Sequence, residues 1–165
     1  MKKTSVPLVI AFTPDYFIPA ATCLYSIITS MQAEGELHVI CLLSEELPER
    51  LKLKIQLIGE GRTCYSFVNL QGKLQHIYID QKYTEAASYR LLLPDLLPEY
   101  KKVIYIDCDI IVRNDLVQLY HSIDLGMNYL AAVFEASMDF QLDHLKTIGC
   151  NPNEYINSGF LIMNL

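Results

Sequence analysis

The chain has 165 residues, 52% of them hydrophobic and 19% charged, a composition that predicts one folded domain spanning 1–165 and excludes a disordered polypeptide. The formal net charge is −6 without a cluster of basic residues, which argues against nucleic acid as a partner and means that a bound phosphate would need a cation. The apolar runs are far shorter than the roughly 18 residues typical of a membrane span, so we expect no transmembrane segment.

The five cysteines indicate reduced thiols. They are odd in number, widely spaced and without a C-x-x-C pair, and several lie in apolar segments where cysteine acts as a small hydrophobic residue. We therefore expect a cytoplasmic protein.

Strands and helices are predicted to alternate along the chain. Continuous apolar runs predict strands, and amphipathic stretches between them predict helices. The predicted strands are 6–12, 36–43, 63–70, 102–107, 128–134 and 159–165, and the predicted helices are about 18–31, 47–58, 85–100 (cut into short pieces by Pro94 and Pro98) and 138–148. This alternation is typical of an α/β fold with a mostly parallel sheet and helices on both faces.

The helical period of the first helix predicts its buried face. The apolar residues that follow this period are Ile18, Ala21, Leu24, Tyr25, Ile28 and Met31.

Two carboxylates, Asp107 and Asp109, interrupt the apolar stretch "VIYIDCDIIV". Residues two apart in an extended chain project to the same side, so the two carboxylates should converge while Cys108 points into the packing. They follow a predicted buried strand, at the sheet edge where open α/β sheets bind ligands. Converging oxygen ligands suit Mg²⁺ or Mn²⁺. The alternative is that Asp107 merely ends the strand and Asp109 caps a turn.

Two chemistries use such a pair at the end of a strand. One is phosphoryl hydrolysis of the haloacid-dehalogenase type, with Asp107 as nucleophile, although that family usually places the motif on its first strand and three predicted strands precede it here. The other is transfer of a sugar from a nucleoside diphosphate that a metal holds as the leaving group.

The ordered motifs of this chain resemble the family 8 glycosyltransferases, retaining GT-A enzymes that include bacterial lipopolysaccharide galactosyl- and glucosyltransferases and glycogenin. The resemblance covers essentially the whole chain. It rests on "VIAFTPDYFIPAATCLYSI", on Arg90 upstream of the aspartate pair, and on "YIDCDIIV", "DLGMNYLAAV" and "YINSGFLIMNL".

The resemblance implies a GT-A (Rossmann-like) fold and transfer of glucose or galactose from a UDP-sugar to a glycan or lipid-linked glycan, as in bacterial lipopolysaccharide synthesis. It also implies that Asp107 and Asp109 hold Mn²⁺ (or Mg²⁺) and that the backbone at Cys108 lies near the ribose. Arg90 would lie close to the diphosphate. A salt bridge from Arg90 to one of the aspartates is the alternative, and the two roles are compatible.

The resemblance also assigns the nucleoside and sugar contacts. The uridine would lie against the loop that contains Ala11, Phe12, Thr13, Asp15 and Tyr16. Relatives often carry Asp-x-Asn-Tyr in this loop, so we expect Thr13 to contact the base here.

Asn157 and Ser158 match the family's Asn-Ser-Gly loop beside the donor sugar, for which a plain turn before a strand is the alternative. Glu135 stands one position from an aspartate of the relatives, and the resemblance makes Glu135 and Asn157 the candidate catalytic residues.

In the family, a histidine that is the third metal ligand and the acceptor-binding half follow the region that ends here at Leu165. We therefore expect this chain to be the nucleotide-binding portion of a glycosyltransferase, truncated at its C-terminal end. The alternatives are a catalytically silent UDP-sugar-binding fragment and, third, a metal-dependent phosphatase.

Overall fold

A computed structural model describes residues 5–32, 34–76, 84–135 and 142–165 of the chain. Within these ranges the strands are β1 (Val6–Phe12), β2 (Leu37–Leu43), β3 (Thr63–Asn69), β4 (Lys102–Asp107), β5 (Leu130–Phe134) and β6 (Ile156–Asn164). The helices are α1 (Phe17–Ser30), α2 (Glu49–Gln56), α3 (Glu85–Ser88), α4 (Leu93–Leu96), α5 (Leu116–Ser122) and α6 (Leu142–Thr147). Each of these helices is too short or too polar to cross a membrane.

The strands of the described residues form one sheet in the order β3-β2-β1-β4-β6-β5. The pairs β3–β2, β2–β1 and β1–β4 are parallel, whereas β6 runs antiparallel to both β4 and β5. The predicted α/β class and mostly parallel sheet are confirmed, with β6 as the reversed strand. An apolar run has the same pattern in either direction, so the sequence did not indicate this reversal.

Both faces of the sheet are covered, as predicted. Alternate residues of β1 enter two separate clusters of buried side chains: Leu8 and Ile10 pack on one side, and Val9 and Ala11 pack on the other. The first cluster includes side chains of α1, α2 and α5, and the second includes side chains of α3 and α4. The carboxyl ends of β1 and β4 therefore lie between two packed layers.

The predicted face of α1 was wrong in part. Ile18 and Tyr25 are 67% and 64% exposed, and the buried residues are Ala20, Cys23, Leu24 and Ile27. The helix is apolar on adjacent stripes, so its period alone did not choose between them. Small side chains at Ala20 and Cys23 allow the helix backbone to approach the sheet, which favours the observed face.

The segment before β4 consists of short pieces, as its prolines predict. A 3-10 turn (Tyr89–Leu92) joins α3 to α4, and Pro94 lies in the first turn of α4, where its missing N–H costs nothing. Tyr89 and Leu93 are fully buried in the second cluster. This anchoring places Arg90, between them in the chain, near the end of β4.

Several predicted boundaries differ from the structure, since α2 is shorter than predicted at both ends and β5 begins at Leu130. β6 begins at Ile156, before the predicted start at 159, and includes the "NSG" segment. The predicted helix at 138–148 corresponds to α6, and its first residues lie outside the described ranges.

We predict that His38 makes the fold more sensitive to acid. On β2, its Nδ1 lies 2.5 Å from the Tyr100 hydroxyl and its Nε2 2.7 Å from the Ser66 hydroxyl. Burial lowers the pKa of His38, although Glu99 nearby opposes the shift. The unfolded chain therefore takes up the proton first, so this stabilisation is complete above the ordinary His pKa of 6.5 and is lost as the pH falls below it.

Urea unfolding at about pH 7.5 and about pH 5.5, on either side of that pKa, tests this prediction. The wild type should lose more unfolding free energy on acidification than His38→Gln, because glutamine can hydrogen-bond but does not titrate. Equal losses in both proteins would contradict it.

Candidate functional site

A cavity of about 300 Å³ opens at the carboxyl end of the parallel strands. β1 and β4 are neighbours there, with Ala11 paired to Asp107. Three segments line the cavity: the end of β1 with the turn after it, the start of α3, and the end of β4. The lining residues are Ala11, Phe12, Thr13, Tyr16, Thr84, Ala86, Ala87, Tyr105, Asp107, Cys108 and Asp109. This is the sheet edge at which the sequence predicted a ligand site.

Most of the predicted nucleoside and metal residues share this cavity. Thr13 and Tyr16 belong to a short 3-10 turn in which the Tyr16 N–H donates to the Thr13 carbonyl at 2.9 Å. Asp15 lies in the same turn but is exposed and is not among the lining residues. Thr13 and Tyr16 of this turn therefore face the cavity, whereas Asp15 lies on the solvent-exposed side of the turn.

Asp107 is held through one of its two oxygens. Its Oδ1 accepts a hydrogen bond from the Tyr105 hydroxyl at 2.9 Å and an ion pair from Arg90 Nη2 at 3.1 Å. The Arg90 side chain is 12% exposed and that of Asp107 is 36% exposed, so the pair is partly shielded from water. Of the two roles that the sequence left open for Arg90, the structure thus contains the salt bridge.

Arg90 connects three parts of the site. Its Nε donates to the Ala87 carbonyl at 2.6 Å, and its Nη1 donates to the Ser158 carbonyl of β6. Its guanidinium carbon lies 4.4 Å from the centroid of the Tyr105 ring, a cation–π distance. With these contacts the guanidinium is fixed in place between α3, β4 and β6.

A β-bulge in β6 brings the "NSG" segment to Asp107. Ala132 of β5 pairs with Leu161 but Val133 pairs with Asn157, so residues 158–160 bulge away from β5. A Cβ atom on Gly159 would lie only 2.8 Å from Asp107 Oδ2. The predicted loop or turn is therefore a distorted part of the strand, and glycine is needed there for close approach.

The two candidate catalytic residues lie together beside this bulge. Asn157 Nδ2 donates to Glu135 Oε2 at 2.9 Å, and Asn157 Oδ1 accepts from the Gly159 N–H at 2.9 Å. Neither Glu135, Asn157 nor Ser158 lines the cavity itself. Gly159 and the Ser158 carbonyl join them to Asp107 and Arg90.

Cys108 has the predicted orientation, because it packs with the α1-side core while Asp107 faces Tyr105 and Arg90. Burial raises the pKa of the Cys108 thiol to about 11, and the carboxylates of Asp109 and Asp107 add to the rise. Burial also raises the pKa of the Cys23 thiol to about 12. Both thiols are therefore protonated at neutral pH and contribute packing.

The carboxylates at the cavity fit a hard divalent cation. Within the described residues no donor hydrogen-bonds Asp107 Oδ2, and Asp109 is exposed at the cavity. Such oxygens are the ligands that Mg²⁺ and Mn²⁺ prefer. The described part of the chain contains no cluster of three metal-binding side chains. A cation held by these two carboxylates would keep positions open for oxygens of a ligand or water.

Sequence reasoning missed four lining residues: Thr84, Ala86, Ala87 and Tyr105. The signal for Tyr105 was present, because the alternation that places Asp107 and Asp109 on one side also includes residue 105. The pair Ala86-Ala87 leaves room for the cavity because its side chains are small, but this could not be recognised before α3 was placed beside β1.

The profile of glycosyl transferase family 8 matches residues 7–165. A putative glycosyltransferase of Haemophilus influenzae is 28% identical over 94% of this chain and 48% of its own length. The chain spans about half the length of the curated relatives it matches.

Two solved structures share the fold. The bifunctional glycosyltransferase WbbM has a TM-score of 0.83 at 24% identity, over 98% of this chain and 31% of its own. The galactosyltransferase LgtC, in complex with donor and acceptor sugar analogues, has a TM-score of 0.78 at 24% identity, over 96% of this chain and 58% of its own.

We predict that Gly159→Ala is destabilising. The new methyl group would collide with Asp107 Oδ2 and lie 3.1 Å from Asn157 Oδ1, and Arg90 and Tyr105 restrain that carboxylate. We expect a loss of about 1–3 kcal/mol in unfolding free energy, measured in urea.

The cost should shrink in an Asp107→Ala background, where the carboxylate is gone. An equal cost in both backgrounds would show that the close approach to Asp107 is not the cause.

Proposed function

Because this chain belongs to glycosyl transferase family 8, we propose that it forms the donor-binding part of an enzyme that moves glucose or galactose from a UDP-sugar to an acceptor hydroxyl. The observation that carries the proposal is the single cavity shared by the turn after β1 and the Asp107–Asp109 pair, with Arg90 bound to Asp107 beside it.

The two ends of the cavity would receive different parts of the donor. Thr13 and Tyr16 offer a hydroxyl and an aromatic ring to the base, and the backbone at Cys108, which also lines the cavity, would lie near the ribose. The diphosphate would then lie by Arg90, whose position is fixed by the contacts to Ala87 and Ser158. A fixed cation matters here because the chain carries a net charge of −6.

Asp107 and Asp109 would hold Mn²⁺ or Mg²⁺. When bound, this ion would neutralise the charge that develops on the UDP leaving group. The salt bridge to Arg90 does not exclude this role, because it uses Asp107 Oδ1 and leaves Oδ2 without a donor among the described residues.

The donor sugar would lie beside the bulge of β6. There the Asn157 amide, oriented by its bonds to Glu135 and Gly159, and the Ser158 hydroxyl would contact the sugar, and Glu135 would be the candidate acidic group beside that amide. The acceptor would be a glycan or a lipid-linked glycan, as in bacterial lipopolysaccharide synthesis in the cytoplasm. The LgtC structure, with its donor and acceptor sugar analogues, is the precedent for a two-substrate site on this fold.

We expect UDP to bind this chain in the presence of Mn²⁺ and to bind much more weakly in EDTA. Asp107→Asn and Asp109→Asn should each weaken Mn²⁺-dependent UDP binding by about tenfold or more, because each removes one negative oxygen ligand. Isothermal titration calorimetry measures both effects. Asp143→Asn, which removes an exposed carboxylate on α6, is the matched control for the change in net charge.

Equal UDP affinity in the wild type and both site variants would overturn the metal site. Absence of UDP binding by a cooperatively folded wild type would overturn the donor-binding role. Binding of a UDP-sugar without transfer to any sugar acceptor would favour the silent binding module.

A further inference from the structure

We propose that Tyr105 is the positioning residue of this site, because one side chain orients both the Asp107 carboxylate and the Arg90 guanidinium. The inference rests on the proposed function, since it assigns Tyr105 a role in binding the cation and the diphosphate.

The hydroxyl of Tyr105 determines how Asp107 presents its oxygens. It donates to Oδ1 at 2.9 Å, and Arg90 Nη2 approaches the same oxygen at 3.1 Å. Two donors on Oδ1 fix the rotation of the carboxylate and direct Oδ2 towards Gly159, where a Cβ would be only 2.8 Å away. Tyr105 therefore selects which Asp107 oxygen remains for a cation.

The face of the Tyr105 ring contacts the Arg90 guanidinium. The guanidinium carbon lies 4.4 Å from the ring centroid, within the range of a cation–π contact. The carbonyls of Ala87 and Ser158 hold the guanidinium by hydrogen bonds, and the Tyr105 ring gives it a further contact on the ring face. Without the ring, the two carbonyls and Asp107 Oδ1 would have to hold the guanidinium in place.

The contrast with Tyr89 separates this role from ordinary packing. Both tyrosines belong to the same buried cluster, with exposures of 1% for Tyr105 and 0% for Tyr89. The Tyr89 hydroxyl donates to the backbone carbonyl of Leu70 at 3.3 Å and lies near the Glu85 carboxylate, whereas that of Tyr105 donates to Asp107, a carboxylate that lines the cavity. Phenylalanine would fill the space of either tyrosine ring. What the Tyr105 hydroxyl adds to packing is its hydrogen bond to Asp107.

Three variants of the full chain test the proposal. Tyr105→Phe removes the hydroxyl and keeps the ring, Tyr105→Leu removes both, and Tyr89→Phe removes a buried hydroxyl away from Asp107. Each is measured for Mn²⁺ affinity by electron paramagnetic resonance of the free ion, for UDP affinity in EDTA by calorimetry, and for unfolding free energy in urea.

Tyr105→Phe should weaken Mn²⁺ binding about 10-fold or more, as is typical when a metal ligand loses its hydrogen-bonding partner. Its UDP affinity in EDTA should be unchanged, because the ring still supports Arg90. Tyr105→Leu should lose Mn²⁺ affinity and also weaken UDP binding in EDTA. Tyr89→Phe should bind Mn²⁺ as the wild type does.

Wild-type Mn²⁺ affinity in Tyr105→Phe, with or without a loss of stability, would overturn the proposal and leave the donor site intact. An equal loss of Mn²⁺ affinity in Tyr89→Phe would also overturn it, since packing would then be the cause. A wild-type protein that binds neither Mn²⁺ nor UDP would instead overturn the proposed function, and the Tyr105 role with it.

Discussion

The ion pair between Arg90 and Asp107 is the contact on which the arrangement of the site depends. A carboxylate at the end of a buried strand is costly unless a charge or several hydrogen bonds accompany it. Arg90 supplies that charge, and its remaining donors bind carbonyls of Ala87 and of Ser158. One guanidinium therefore balances the charge of the carboxylate and joins α3 and β6 to the end of β4.

The two aspartates are not equivalent, although they belong to one motif. Asp107 is partly buried and is held by Tyr105 and Arg90, whereas Asp109 is exposed at the cavity. For a ligand that binds both aspartates, the Asp107 oxygen is already in position, whereas the Asp109 side chain must be ordered on binding. This division confines the ordering cost to one side chain, which is the physical meaning of a preorganised site.

The antiparallel strand β6 contributes to the site through its irregularity. A regular strand beside β4 would present alternating side chains to Arg90 and Asp107, but the bulge at residues 158–160 presents a backbone carbonyl and a glycine. The bulge thus brings backbone to Arg90 and Asp107 without filling the cavity. It also places Asn157 against Glu135, so that the two sides of the β5–β6 pair share a hydrogen bond.

The sequence by itself determined the strands, the broken segment around Pro94, the α/β class and the aspartate pair, because these follow from local period, proline geometry and alternation. It also assigned the turn after β1 to the site, by resemblance. The tertiary structure decided the buried face of α1, the direction of β6, the choice of Asp107 as the partner of Arg90, and the double contact of Tyr105. Each of these depends on residues far apart in the chain whose contacts have no periodic signature, so only the packed fold could specify them.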